Sequence, residues 1–213
     1  MRTSVVIPAF NEEKDIANVI NAVKSSKIAD EIIVVDNNSS DNTSKIALSC
    51  GATVTFCKNQ GKGNAMEEGL KLATGDIIVF IDGDICNYKK SFISKLIDPI
   101  VKNKADFVKA TFKRDGGRVT ELLAKPLLAL TFPELKKFDQ PLSGIIAGRI
   151  DLFKSITFEK DYGVDVGILI DIYKKKARMR QVNIGEIKNN SQDWHSLIGM
   201  ANEVAKAILK RSK

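Results

Sequence analysis

Asp82 and Asp84 stand one residue apart, with Gly83 between them, directly after an apolar run over 77–81. That run has the length and β-branched content of a buried strand. Positions i and i+2 of an extended chain share a face, so the two carboxylates can converge on one point. Gly83 lets a ligand or the backbone come close. Two convergent carboxylates at a strand end suit a hard divalent cation, Mg²⁺ or Mn²⁺, bridging phosphate oxygens. The competing interpretation is a polar turn that caps the strand, because such turns are common.

Three other places carry groups with comparable chemistry. The segment Val5-Val6-Ile7-Pro8-Ala9-Phe10-Asn11-Glu12-Glu13 ends a first apolar strand. Backbone groups at Pro8, Ala9 and Phe10 can hold a flat base there, and Glu12 can accept from base or ribose donors. Equally, Glu12 and Glu13 would favour the start of a following helix. Asp36 ends a second strand, where its carboxylate can meet ribose or base; the Asn37-Asn38-Ser39-Ser40-Asp41-Asn42-Thr43 run after it has the composition of a turn and helix cap. Gly61-Lys62-Gly63 places a cation and free N–H groups at a helix start, where an anion would bind, although an exposed lysine beside glycine is also commonplace. No dinucleotide-binding glycine fingerprint and no Walker A sequence is present.

These groups require elements that bring them to one edge. The pattern predicts strands over 4–9, 31–36, 52–57 and 77–81, alternating with helices over 12–23, 44–49 and 64–72. Such alternation means a parallel sheet with right-handed crossovers and ligands at the carboxyl ends of the strands. The second half predicts a helix over 88–101 bent at Pro99, a strand over 107–112, and an apolar helix over 120–130 kinked at Pro126. Beyond these come a short strand at 145–147, a helix over 164–173, a strand over 180–187, and an amphipathic helix over 193–210. One α/β domain over 1–213 is expected, with a nucleotide-sugar half at 1–87 and an acceptor half at 88–213.

The 213 residues are 44% hydrophobic and 28% charged, enough apolar content for a sizeable core. No apolar run is long enough to span a bilayer, and the first residues lead straight into a strand pattern, so the cytoplasm is the expected location. Three cysteines, an odd number without metal-type spacing, argue against a disulfide framework. The net charge of +7 favours anionic partners. Aromatics make up only 7% and are not interleaved with the basic residues, which disfavours nucleic acid.

Taken together, Val-Val-Ile-Pro-Ala-Phe-Asn-Glu-Glu, Ile-Ile-Val-Val-Asp-Asn-Asn-Ser-Ser-Asp-Asn-Thr, Gly-Lys-Gly and Phe-Ile-Asp-Gly-Asp resemble the GT-A glycosyltransferases of family 2 over about the first 90 residues. The second half resembles the glucosyl-3-phosphoglycerate synthases (family 81) in Gly117-Arg118-Val119-Thr120, Gln140-Pro141-Leu142-Ser143-Gly144 and Asp161-Tyr162-Gly163-Val164-Asp165. The resemblance implies a GT-A fold and retaining transfer of glucose from UDP- or GDP-glucose to 3-phosphoglycerate. It implies a donor site of Pro8, Ala9, Phe10, Glu12, Asp36, Asn38, Lys62, Asp82 and Gly83. The acceptor would be held by Gly117, Arg118, Val119 and Thr120. Arg118 also has a physical claim, a guanidinium fork beside glycine N–H groups at a helix start that Thr120 would cap.

The catalytic backbone carbonyl of that family maps to Leu142, and its acidic residue, a glutamate there, to Asp165, which would meet donor-sugar hydroxyls with shorter reach. Lys62 would offset charge on the leaving diphosphate. The metal shell departs from the family: where it carries a histidine, this chain has Asn189-Asn190-Ser191, and its only histidine, His195, follows a few residues later. The expected metal ligands are therefore Asp84, Asp82 and His195, with Asn189 as the alternative. The stripe Leu197, Ala201, Val204 and Ile208 would serve a homodimer, or else cover the chain's own core. The alternatives to this activity are a family-2 transferase acting on a polyprenyl phosphate and a non-catalytic sugar-nucleotide-binding protein.

Overall fold

A computed structural model describes residues 1–85, 87–114, 117–188 and 194–213. In chain order they form β1 (Thr3–Ala9), α1 (Ile16–Ser25), β2 (Glu31–Asp36), α2 (Thr43–Ser49), β3 (Thr53–Phe56), α3 (Lys62–Leu72), β4 (Ile77–Phe80) and α4 (Phe92–Val101). The second half adds β5 (Phe107–Lys113), α5 (Lys125–Thr131), β6 (Ile146–Arg149), α6 (Ile150–Lys154), α7 (Val164–Lys174), β7 (Met179–Glu186) and α8 (Trp194–Arg211).

One seven-stranded sheet in the order β3-β2-β1-β4-β6-β5-β7 runs through both halves. β3, β2, β1 and β4 are mutually parallel, and β5 is parallel to β7. β6 runs antiparallel to both neighbours, β4 and β5. This reversal matters for the site: it puts the start of β6, and the 140–145 segment leading into it, on the edge where β1, β4 and β5 end. Alternate strand residues serve two cores. Val5, Ile7, Val34 and Val79 face α1 and α4, whereas Val6, Val35, Ile78 and Phe80 face α3, α7 and α8.

Several boundaries differ from expectation for identifiable reasons. α1 begins at Ile16 rather than residue 12, because the backbone N–H groups of Glu12 and Glu13 donate to Thr43 Oγ1 (2.8 Å) and Asp41 Oδ2 (3.1 Å). Glu12 and Glu13 therefore lie in a loop tied to the β2–α2 connection, not in a first helical turn. The kink expected at Pro126 is instead a π-helical turn over Thr120–Ala124 ahead of α5. There Lys125 N–H reaches back five residues to the Thr120 carbonyl, the widened turn accommodating a proline that has no N–H to give. The stripe Leu197, Ala201, Val204 and Ile208 packs on the chain's own core: Val204 and Ile208 are fully buried, and Leu197 and Ala201 lie against them.

Candidate active site

One cleft of about 670 Å³ opens at the carboxyl edge of the sheet, the size of a small-molecule site. From the first half it is lined by Pro8, Ala9, Phe10, Glu12, Lys62, Asp82, Gly83 and Asp84. From the second half come Gly117, Arg118, Val119, Thr120, Leu142 and Asp165. Residues far apart in sequence thus share one wall because β1, β4 and β5 end there and β6 begins there.

Lys62 is the centre of the charge arrangement. Its Nζ lies 2.8 Å from Asp82 Oδ1 and 2.8 Å from Asp165 Oδ2. Burial opposes its charge, but the Asp165 and Asp82 carboxylates outweigh burial and hold the ammonium well above the usual lysine range. Gly144 makes this pairing possible. A Cβ there would lie 2.4 Å from both Asp82 Oδ1 and Lys62 Nζ, so a side chain would displace one of them. Asp165 is 1% exposed, and its Oδ1 has no hydrogen-bond partner among the described residues. A buried acceptor left open on a cleft wall suits a ligand hydroxyl.

The expectation of free N–H groups around Gly61-Lys62-Gly63 is corrected in part. Asn64 N–H, in the first turn of α3, donates to the Lys160 carbonyl (3.0 Å), and Gly61 N–H donates to Asn37 Oδ1 (2.6 Å). The 157–161 segment lies too close to α3 for an anion to take those amides, as a Cβ on Gly63 would fall 1.6 Å from the Glu159 carbonyl oxygen.

Two expected donor residues are not on the cleft wall. Asp36 accepts from Ser39 N–H (2.8 Å) and from the Ser44 hydroxyl, which makes it the cap of its own turn. Asn38 is exposed with a left-handed backbone, φ 74°. Its neighbour Asn37 is buried and lines the cleft. The turn explains the difference: the Asn37 side chain donates to the Cys57 and Asn59 carbonyls and accepts from Gly61 N–H, while the chain reverses at Asn38.

Burial, followed by the charges of Asp84, Asp15, Asp82 and Asp41, pushes the Glu12 carboxyl up to about 8. Several carboxylates thus lie close together beyond the end of β4, an arrangement that would favour a divalent cation. Asp82 and Asp84 fit such a cation. His195 does not complete their set: it is exposed in the first turn of α8 and off the cleft wall. Among the described residues no three His, Cys, Asp or Glu side chains are grouped to hold a metal. Asn189 lies outside the described residues. Mg²⁺ and Mn²⁺ sites of this type commonly use one or two carboxylates and complete the shell with water and substrate phosphate.

At the other end of the cleft, Glu121 N–H donates to the Gly117 carbonyl (2.9 Å), so Gly117 opens the helical turn and Thr120 is not its cap. Thr120 is buried, and its hydroxyl accepts from Arg114 Nη2 (3.3 Å). The Arg118 guanidinium lies 5.8 Å from the Trp194 ring centre, a cation–π arrangement. Arg114, Asn37 and Tyr162 line the cleft without having been anticipated. Arg114 Nε is buried without a partner among the described residues. Its one sequence signal is the Lys113-Arg114 pair at the end of a strand.

The family model described as glycosyl transferase family 2 matches residues 4–161. Glucosyl-3-phosphoglycerate synthase of Mycolicibacterium smegmatis is 35% identical, the match covering 98% of this chain and 77% of that protein. The enzyme of the same name from Petrotoga mobilis is 36% identical over 99% of this chain and 73% of its own. A crystal structure of glucosyl-3-phosphoglycerate synthase from Mycobacterium tuberculosis, in complex with Mn²⁺, UDP-glucose and phosphoglyceric acid, superposes with a TM-score of 0.95. It is 37% identical, the match covering 99% of this chain and 79% of that one. Another structure of that enzyme, holding Mn²⁺, UDP and glucosyl-3-phosphoglycerate, superposes equally well, TM-score 0.95.

Proposed function

On the premise that the chain belongs to glycosyl transferase family 2, with the GT-A fold and among the glucosyl-3-phosphoglycerate synthases, we propose that it moves glucose from UDP-glucose to 3-phosphoglycerate with retention at the anomeric carbon. The observation that carries this reading is the continuity of one cleft. It joins the carboxylate end of β4 to the Gly117–Thr120 turn, with Leu142, Lys62 and Asp165 between them.

The uridine would lie along Pro8, Ala9 and Phe10 with Glu12 beside it. Asp82 and Asp84 would hold Mg²⁺ or Mn²⁺, which supplies charge neutralisation for the leaving diphosphate. Lys62, held charged by its two carboxylates, adds positive potential beside that group. The open Oδ1 of Asp165 accepts from a sugar hydroxyl and orients the ring. Arg118, with the Thr120 hydroxyl and the backbone at Gly117, fixes the acceptor's phosphate and carboxylate, so that its single hydroxyl faces the anomeric carbon. The bond from that carbon to the β-phosphate oxygen breaks, the bond to the acceptor oxygen forms on the same face, and the acceptor proton passes to the departing phosphate. The Leu142 carbonyl faces the positive charge that develops on the ring.

Arg118→Ala tests the acceptor half. Loss of a charged hydrogen bond costs about 1.5–3 kcal/mol, so KM for 3-phosphoglycerate should rise roughly tenfold or more, while Kd for UDP-glucose stays unchanged. Equal loss in both would withdraw Arg118 from the acceptor site. Transfer from labelled UDP-glucose that needs 3-phosphoglycerate excludes a pure sugar-nucleotide binder; transfer to a polyprenyl phosphate instead would overturn the acceptor. No helix of the described residues is long and apolar enough to cross a membrane. A homodimer, if formed, would use a face other than the 197/201/204/208 stripe. A monomeric mass by light scattering at micromolar concentration would remove it.

A further inference from the structure

Among the described residues Lys109 is the only fully buried lysine, at 1% exposure. It sits mid-strand in β5, opposite Ile146 of β6 and Gln181 of β7, neither of which carries charge. Its Nζ donates to two backbone carbonyls, Ser143 at 2.7 Å and Asp165 at 3.4 Å. Its desolvation is offset by these two carbonyls and, at longer range, by the Asp165 and Asp82 charges. The charges facing it are Lys62 from α3, Asp82 beyond β4 and Asp165 from α7.

Stability does not account for a lysine at this position. Burial pulls its amine down to about 8 from the ordinary 10.5, with Lys62 adding to the effect and Asp165 and Asp82 opposing it. An amine whose folded value lies below its unfolded value disfavours folding at neutral pH. Below about 8 it is charged in both states and the full cost is present; that cost fades only as pH rises through 8 towards 10.5. What the lysine holds is more telling. Ser143 directly follows Leu142, and Asp165 lies in the first turn of α7 and accepts from Lys62. The two carbonyls belong to the two segments that would flank the transferred ring.

We propose that Lys109 is a positioning residue that ties the 142–144 backbone to the first turn of α7, so that the Leu142 carbonyl and the Asp165 carboxylate keep one mutual geometry. The proposal rests on the glucosyl-transfer reading for its effect on rate, and on the two carbonyl contacts for its effect on order. Ser143 is further fixed by N–H donation to the Gln140 carbonyl (3.1 Å), and its hydroxyl accepts from Ile145 N–H (3.1 Å). Lys109 supplies the link from this segment to α7. With its proton it is a charge-assisted donor to both carbonyls; without it, a weaker neutral one.

The test uses Lys109→Met and Lys109→Arg in the full chain. Hydrogen exchange, which needs no substrate, should show faster exchange at 142–146 and 164–167 in the methionine variant than in the parent. Its kcat should fall roughly ten- to a hundredfold, as expected for a displaced reacting group, with KM for both substrates little changed. The parent should show an alkaline fall in kcat near pH 8, and the arginine variant should recover part of kcat and lack that fall. Glu12 also titrates near 8, and retention of that fall in the arginine variant would assign it there and overturn the pH part of the proposal.

Parent-like exchange in the methionine variant overturns the proposal whatever the activity. Should both variants misfold, the parent decides: after correction for intrinsic rates, the two segments should lose protection between pH 7 and 9 while the other strands do not, and uniform behaviour rejects the proposal. If the parent transfers no glucose to 3-phosphoglycerate, the functional reading fails, while the exchange arms still decide the role of Lys109.

Discussion

Replacing Asp84 with alanine should lower metal-dependent glucosyl transfer by roughly 10²–10³-fold or more, the scale lost when charge stabilisation of a leaving group is removed. Asp82 and Asp84 are not equivalent. Asp82 already accepts from Lys62 through Oδ1, and Gly144 presses against that oxygen. Because the Lys62 pairing involves Asp82, alanine at position 84 tests the cation site while leaving that pairing in place. Alanine at position 84 also removes one of the charges that, after burial, hold the Glu12 carboxyl up. The measurement is the transfer rate across a Mn²⁺ titration and in EDTA, with thermal melting as the control for folding. A variant that turns over at the parent rate in EDTA would sink the metal site altogether.

Arg211→Met should cost about 3–5 kcal/mol of stability, the usual consequence of removing one partner from a buried ionic cluster. For a chain of this size that corresponds to a melting temperature lower by roughly 10 °C. Arg211 is 8% exposed and forks onto Asp171, with Nε to Oδ1 and Nη2 to Oδ2 both at 2.8 Å. Nη1 donates to Glu159 Oε1 at 2.5 Å. Without the guanidinium, Asp171 loses its two-pronged partner and Glu159 keeps only the exposed Lys210 ammonium, at 3.0 Å. The effect should reach the site, because Glu159 and Lys160 pack against the start of α3, where Asn64 N–H is bound and Lys62 emerges. A fall in kcat/KM larger than the loss of folded protein would show that reach; a melting temperature equal to the parent's would mean that the cluster contributes nothing net.

The sequence by itself determined the elements and the chemistry of the reacting groups. Apolar periodicity over α1 marked Ile16, Val19, Ile20 and Val23 as its buried face, and all four are buried. The Ile77–Phe80 run followed by Asp82 and Asp84 put carboxylates at a strand end, because a β-branched run has few other stable forms. The Gly117–Thr120 and Gln140–Gly144 segments were legible as motifs through their family resemblance, and the structure puts Gly117, Arg118, Thr120 and Leu142 on one cleft wall.

Only the tertiary structure decided which groups meet. The antiparallel direction of β6 is invisible in a four-residue strand, yet it brings Leu142 to the edge where β4 ends. The turn after β2 put Asn37, rather than Asp36 or Asn38, on the cleft wall. The Lys160 carbonyl took the Asn64 N–H at the start of α3, and the approach of α7 to β4 made Lys62 the bridge between Asp82 and Asp165. Lys109, which reads in sequence as a stray cation inside an apolar strand, gained its meaning from two carbonyls 34 and 56 residues further along the chain. In each case the deciding quantity is a distance between segments remote in sequence, set by sheet order and packing, and local residue preferences carry no record of it.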